Sequence, residues 1–332
     1  MKVGFQVGNV VTYPSDLQHQ WLGHLEQFRF ARDAGFEFVS WGQHWLIHPF
    51  QHFQPMSALA RLSAEPGQME LVTGVLLLPM INPVQLAEEI ATLDHICSGR
   101  FVFGVGLGYR AEEFDAMGVK MSQRAARFEE ALDLIVKLWT EDEVTYEGKF
   151  YQVIRAQPTA KPYQIPHPRV WVAAMNEAPI IRAGRLGHTF FGLGLETHES
   201  LKTHAELWRS TLEEYGNPDP GELPIMRECF VNKSGQLARE RARKAVEIKY
   251  GGYAKHGLPT AKQALSKGID SLLEDPFIVG SPSECLEKLA ALSELGVTHI
   301  DLRLQWPEMS QTEVLRMMDL VGERIIPSLK EL

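Results

Sequence analysis

Three histidines, His44, His48 and His52, recur every four residues just after the apolar run Phe38–Trp41. On an unbroken helix this spacing would line three imidazoles along one face, the arrangement of a metal site. Pro49 interrupts any such helix and no carboxylate stands among the three, so no metal is expected there. His44 is singled out by position instead. It follows a strand-like run, where an imidazole can act as general acid, general base or donor to a developing oxyanion. Gly104, Gly106 and Gly108 end a second apolar run, and their missing side chains would let a ligand approach the backbone. Ala173 and Ala174 likewise remove bulk, and Met175, Asn176 and Glu177 then lead into a helical pattern whose free amides can hold a phosphate.

The elements that must position these residues alternate regularly. Strand patterns cover Lys2–Val7, Phe38–Trp41, Leu71–Leu77, Phe101–Val105, Arg169–Ala173, Thr189–Leu193, Ile225–Val231 and His299–Leu304. Helical patterns separate them, among them Leu17–Ala34, Val84–Ile96, Ser122–Trp139 and Ser283–Leu295. The stretch Leu71–Tyr109 shows the logic. Its two strand runs are continuously apolar, as strands covered on both faces are in a parallel sheet. Its helix opens on Asn82 as N-cap, Pro83 at the first position and Gln85 placed to close a capping box, and Ser281, Pro282 and Glu284 repeat the pattern later. Eight strands each followed by a helix predict an α/β fold, a (β/α)8 TIM barrel in one domain over residues 1–332, with its chemistry at the carboxyl ends of the strands. Two insertions are expected. Residues 144–168 read as a hairpin turning at Gly148, and residues 251–275, with Lys255, Lys262 and Lys267, read either as a mobile lid over the mouth or as an extra helix pair.

Composition narrows the partners. A chain of 332 residues with 45% hydrophobic content suits one enzyme-sized barrel. A net charge of -9 without a basic cluster argues against nucleic acid and against an anionic membrane. The opening MKVGFQVGN has no apolar h-region, and the apolar run near Val72–Ile81 is short and broken by Pro79, so a cytoplasmic location is expected. Cys97, Cys229 and Cys285 are too few and scattered for a disulfide framework or a zinc site. A small-molecule substrate remains. The GVGLG run has G-x-G-x-G spacing and no helix until about Ser122, which departs from the dinucleotide fingerprint; a planar cofactor lying across the barrel mouth accounts for it better.

Taken together, the motifs resemble the luciferase-like flavin monooxygenase superfamily, which includes the bacterial luciferase subunits, alkanesulfonate monooxygenase and several deazaflavin-dependent oxidoreductases. They are LVTGVLLLPMINPVQLAEEIATLDHICSGRFVFGVGLGYRAEEFDAMG, the arginines Arg124 and Arg127 before FEEALDLIVKLW, the YEGKFYQV hairpin, PHPRVWVAAMN, and IVGSPSECLEKL through GERIIPSL. The resemblance covers nearly the whole chain. It implies a bacterial luciferase-like barrel, a catalytic role for His44, a cis peptide between Gly74 and Val75, and a cofactor site formed by Thr73, Gly74, Val75, Gly106, Arg124, Ala174, Met175 and Asn176. In that site the flavin ring lies over Thr73, Gly74 and Val75 with Gly106 beneath the rim, and its phosphate lies near Arg124, Met175 and Asn176. A homodimer through early helices is implied as well.

This chain departs from luciferase in places. Gly106 replaces a reactive cysteine, Leu107 replaces a phosphate-binding arginine for which Arg110 is the nearest substitute, and Gln43 precedes the histidine where an acid is usual. Light emission is therefore not expected. A weaker hold on the phosphate suits an enzyme that borrows reduced flavin from a separate reductase. The favoured reading is a monooxygenase in which reduced FMN forms a C4a-peroxyflavin that oxygenates a small organic substrate. The alternatives are F420-dependent hydride transfer with His44 as proton partner, and a non-catalytic flavin-binding protein, against which the presence of His44 argues. Trp41, Trp45, Phe50, Phe53 and Trp306 mark either an apolar substrate pocket or ordinary core, and Arg227 and Arg303, both in strands, read either as ligands for an anionic substrate group or, in preference, as paired structural arginines.

Overall fold

The computed structural model describes residues 1–8, 13–255, 259–266 and 268–331. The strands are β1 (Lys2–Gln6), β2 (Phe38–Trp41), β3 (Glu70–Thr73), β4 (Leu76–Leu77), β5 (Phe101–Gly106), β6 (Val144–Glu147), β7 (Gln152–Ala156), β8 (Arg169–Ala174), β9 (Thr189–Gly192), β10 (Pro224–Val231), β11 (Ile278–Gly280) and β12 (His299–Arg303). Eight of them close into a parallel barrel surrounded by helices, in the order β1, β2, β3, β5, β8, β9, β10, β12 and back to β1. The predicted (β/α)8 barrel is thus the observed fold, and each of its strands falls on a strand pattern of the sequence. Two details differ. The run Leu71–Leu77 forms two strands, β3 and β4, separated by Gly74 and Val75, whose peptide is cis, and β11 is an additional strand of three residues paired with the end of β10.

Local signals set the helix starts. Asn82 accepts hydrogen bonds from the amides of Val84 and Gln85, and Pro83 fills the first position. The Gln85 side chain bonds Glu89 one turn on, so the expected capping box is not formed there. The box at Ser281 is formed, and a second stands at Ser310 with Glu313. The β6–β7 hairpin occupies the expected insertion. Glu130 holds it, one carboxylate oxygen accepting from the amides of Phe150 and Tyr151 at 2.7 Å each. Over residues 251–275 the chain forms the end of helix Gly235–Lys255 and the helices Pro259–Ser266 and Ile269–Glu274; residues 256–258 and 267, including Lys267, lie outside the described residues. Among the described residues no helix is long and apolar enough to cross a membrane.

Three layers fill the barrel. At the amino end Glu70 bridges Lys2 and Arg169 at 2.7 and 2.8 Å, and Glu222 bridges Arg169 and the indole N–H of Trp171 at 2.5 and 2.9 Å. Above this plug sit Phe38, Val72, Val102, Trp171, Phe191 and Met226, with Val75, Ala173 and Leu193 only partly covered on top. Gly104 is where strand packing is tightest. A Cβ there would lie 1.8 Å from the carbonyl oxygen of Thr73, whose hydroxyl exchanges two hydrogen bonds with the Gly104 backbone. Gly104→Ala should therefore lower the unfolding free energy by about 3 kcal/mol or prevent folding, as backbone contacts cannot yield cheaply. A variant melting with the wild type would mean that β3 and β5 have slack.

Burial also sets an acid limit. His24, His52, His188 and His299 are pushed down to about 4 by desolvation, so the unfolded chain takes up protons between about pH 6.5 and 4 that the native chain refuses. Asp301 acts oppositely, because burial raises its carboxyl to about 7 and the native state retains a proton that the unfolded chain releases above about pH 4. A tenfold change in proton affinity on folding is worth about 1.4 kcal/mol at any of these groups, so four histidines outweigh one aspartate. Urea unfolding should show several kcal/mol less stability at pH 4.5 than at pH 7. Equal stability at the two values would contradict the buried neutral imidazoles.

Candidate active site

The loop after β2 carries His44 back over the barrel mouth. Gln43 anchors it from both sides, its amide donating to the Val75 carbonyl at 3.1 Å and its side-chain oxygen accepting from the Leu77 amide at 2.9 Å. Gln54 adds a hydrogen bond to the His44 carbonyl at 2.9 Å. The imidazole is then fixed by Glu113, whose Oε1 lies 2.9 Å from His44 Nδ1 and also accepts the Trp45 amide at 2.8 Å. An oxygen already accepting an amide proton acts as acceptor toward the ring too, so Nδ1 carries a hydrogen and donates it to Glu113. Glu113 is completely buried, in the helix Ala111–Ala116 beyond β5. Arg110 balances it at 3.6 Å while donating to the Trp45 carbonyl at 2.9 Å. A buried carboxylate with neither partner would cost several kcal/mol.

Glu113 was not foreseen from the sequence. Glu112 and Glu113 are adjacent in AEEFDA, and only the fold shows that the first is exposed while the second turns inward. Arg110, expected as the substitute phosphate ligand, is instead buried against Trp45 and Glu113, which corrects that expectation. His44 keeps about a quarter of its side chain exposed, with the Tyr109 ring 5.7 Å and the His52 ring 6.1 Å away, both edge-on.

Below His44 the mouth has an apolar floor of Val75, Ala173 and Leu193. Gly106 underlies it, but a Cβ at Gly106 would meet Val75 Cγ2 at 2.8 Å. Gly106 thus makes room for Val75, which fills the gap expected to admit a ring. The expected cis peptide at Gly74–Val75 is present. Its carbonyl accepts from Gln6 at 2.8 Å, Gln6 accepts from Arg303 at 2.5 Å, and Ser40 donates to the buried Asp301 at 2.5 Å. Arg303 was expected as a paired structural arginine; Gln6, Ser40 and Asp301 were missed, although their inward strand positions are a readable signal. Thr73 and Ala174 are buried behind the floor.

The remaining expected residues gather at one side of the mouth. Arg124 opens the helix Arg124–Thr140, and Asn176, exposed and making no side-chain cap, precedes the helix Glu177–Arg185 after Met175. Glu129 bonds Arg182 and Arg185 at 2.7 Å each, tying the two helices together one to two turns from their amino ends. Arg127 lies over the Phe150 ring, 4.7 Å from its centre. Trp41 and Trp306 are core, their indoles bonded to the carbonyls of Phe53 and Cys229, whereas Trp45 and Phe50 line a cavity. That cavity, about 440 Å³, adjoins His44 on the side of its own loop and takes in His48, His52, Ile47 and Met117. Arg227 is buried on the Met226 carbonyl, and Arg303 pairs with Gln6 and Glu228. Among the described residues no group of three or more histidine, cysteine or acidic side chains could hold a metal.

The site thus joins a strand-end imidazole, an apolar floor and two helix amino ends. The chain belongs to the luciferase-like monooxygenase family, whose model matches residues 1–299. It is 29% identical over 307 residues to an F420-dependent glucose-6-phosphate dehydrogenase of Segniliparus rotundus, covering 85% of this chain and 88% of that protein. It is 25% identical over 296 residues to the oxygenase component of the flavin-dependent trigonelline monooxygenase of Acinetobacter baylyi, covering 82% and 80%. The crystal structure of monooxygenase RslO1 from Streptomyces bottropensis superposes with a TM-score of 0.82 at 26% identity, over 99% of this chain and 100% of that one.

The Glu113 contact makes a direct prediction. Glu113→Ala should lower the unfolding free energy by about 3 kcal/mol or more, since it leaves Arg110 buried without its partner. It should also release His44 to a mixture of tautomers, read from the two ring ¹⁵N shifts. A variant of wild-type stability in which Nδ1 alone still carries the hydrogen would show that another group holds the ring.

Proposed function

We propose that this protein is a flavin-dependent monooxygenase that receives reduced FMN from a separate reductase and oxygenates a small organic substrate, with His44 as its acid–base residue. The observation that carries the reading is the His44–Glu113 pair, which fixes a strand-end imidazole through Nδ1 and leaves Nε2 for chemistry beside an apolar floor. Val75, Ala173 and Leu193 fit one face of a planar ring, and Gly106, by admitting Val75, helps form that face. Arg124 and the first amides of the helix Glu177–Arg185, with Met175 and Asn176, would hold the phosphate, where charge and helix dipole act together. Bound reduced FMN would supply the two electrons by which one atom of dioxygen enters the substrate and the other leaves as water. His44 Nε2 would hold or pass the proton at the reacting oxygen, and Glu113 would stabilise the imidazolium formed on accepting it. The apolar walls would exclude bulk water.

F420-dependent hydride transfer is the second reading, supported by the dehydrogenase relative. The cavity beside His44 counts against a sugar phosphate, because among the described residues its lining has three imidazoles and Gln54 among apolar side chains and no lysine or arginine. Our reading also takes the chain as one barrel domain, a homodimer, located in the cytoplasm and working with a flavin reductase; the relative described as an oxygenase component supports that partner.

Two measurements test the proposal. FMN at a hundredfold its dissociation constant should stabilise the protein by about 2.7 kcal/mol, a melting shift of several degrees, with F420 giving none. A shift with F420 alone would install the second reading. With FMN, a reductase and dioxygen, His44→Ala should turn over about a hundredfold more slowly at little change in FMN affinity. A less stable variant that is fully active per folded molecule would remove His44 from catalysis.

A further inference from the structure

The cavity on the loop side of His44 has a chemical character that the cofactor reading does not use. Its walls are mainly apolar, with Trp45, Phe50 and Met117 among them, and its polar groups include His44, His48 and His52. His52 donates through Nδ1 to the carbonyl of Phe53 at 2.8 Å, and a carbonyl only accepts, so the hydrogen is on Nδ1 and Nε2 is a lone-pair acceptor. His44 likewise spends its Nδ1 hydrogen, on Glu113. The two rings meet edge-on at 6.1 Å, too far for one to donate to the other. Burial together with neighbouring His44 pushes His52 down to about 4, which keeps it neutral and an acceptor at physiological pH.

A cavity of this kind asks for a ligand that donates a hydrogen bond and presents a flat apolar body. We propose that His52 is the specificity-determining residue, its Nε2 accepting a hydrogen bond from a hydroxyl on an uncharged aromatic substrate stacked among Trp45, Phe50 and Met117. This rests on the monooxygenase reading, in which His44 is kept for the reacting atoms while His52 holds the other end of the molecule. Among the described residues, an anionic substrate finds no lysine or arginine in this lining. An aromatic ether of equal size would leave the His52 lone pair without a donor, so the site discriminates by a missing hydrogen bond rather than by volume.

The test uses cofactor-free full-length protein, so that its outcome is independent of whether FMN or F420 binds. Calorimetric titration with 2-naphthol, 2-methoxynaphthalene and 2-naphthyl phosphate should give the naphthol the tightest binding, about tenfold over the ether, and the phosphate the weakest. In His52→Phe the naphthol and the ether should bind alike, near the wild-type affinity for the ether. On protein labelled with ¹⁵N-histidine, 2-naphthol should shift the His52 Nε2 resonance by several ppm, and the ether should not. That spectrum needs no variant and decides the matter should His52→Phe fail to fold. Equal affinities for naphthol and ether in the wild type, a preference that survives His52→Phe, absence of binding by either compound, or an unmoved Nε2 resonance would each overturn the proposal. Loss of flavin binding with these results intact would sink the monooxygenase reading alone.

Discussion

One buried carboxylate organises the mouth of this barrel. Glu113 takes the Nδ1 hydrogen of His44, the amide of Trp45 and the charge of Arg110 while having no exposure to water. Any one of these contacts would be a weak reason to bury a charge; jointly they offset its desolvation and make removal of a partner costly. The loops after β2 and after β5 are thereby joined through side chains rather than strands. With Gln43 pinned to Val75 and Leu77, the joint places one nitrogen of one histidine at the edge of the floor. Tautomer and orientation follow from the same contact, which is how second-layer partners set the chemistry of an imidazole.

The barrel supplies what that contact cannot. Its interior is packed by large side chains, so the mouth has a floor and no pore, and small residues at strand ends keep the floor low. Beneath the Gly74–Val75 peptide lies a polar layer of Gln6, Ser40, Asp301 and Arg303, which satisfies the Gly74 carbonyl from inside the barrel. The helices that open at Arg124 and Glu177 bring two amino ends to the same rim, and the Glu129 clamp keeps them there. Ring, phosphate and substrate can thus be addressed by three separate parts of the mouth.

Much of this was readable in the chain. The runs Leu71–Leu77 and Phe101–Val105 are continuously apolar, as strands covered on both faces are, and the alternation of strand and helix patterns is why eight strands and the barrel followed from the sequence. His44 was identified because strand-end position is a topological property, and the hairpin because Gly148 falls between two alternating runs. What was not legible depended on the third dimension. The pattern gives no reason to bury Glu113 rather than Glu112, a three-residue strand such as Ile278–Gly280 has too little periodicity to register, and an absent side chain at Gly106 does not say that Val75 will fill the space. Gln85 had the right spacing for a capping box and found a better partner in Glu89.

His44, the floor and the paired helix ends would form one cofactor site, and a crystal structure of the protein soaked with oxidised FMN is the decisive measurement. The ring should lie on Val75, Ala173 and Leu193 with one edge toward His44, the phosphate between Arg124 and the first amides of the helix Glu177–Arg185, and His44 should still be bonded to Glu113. Density for the ring away from that floor, or a His44 that has left Glu113 to make room for it, would show that these parts do not form one site.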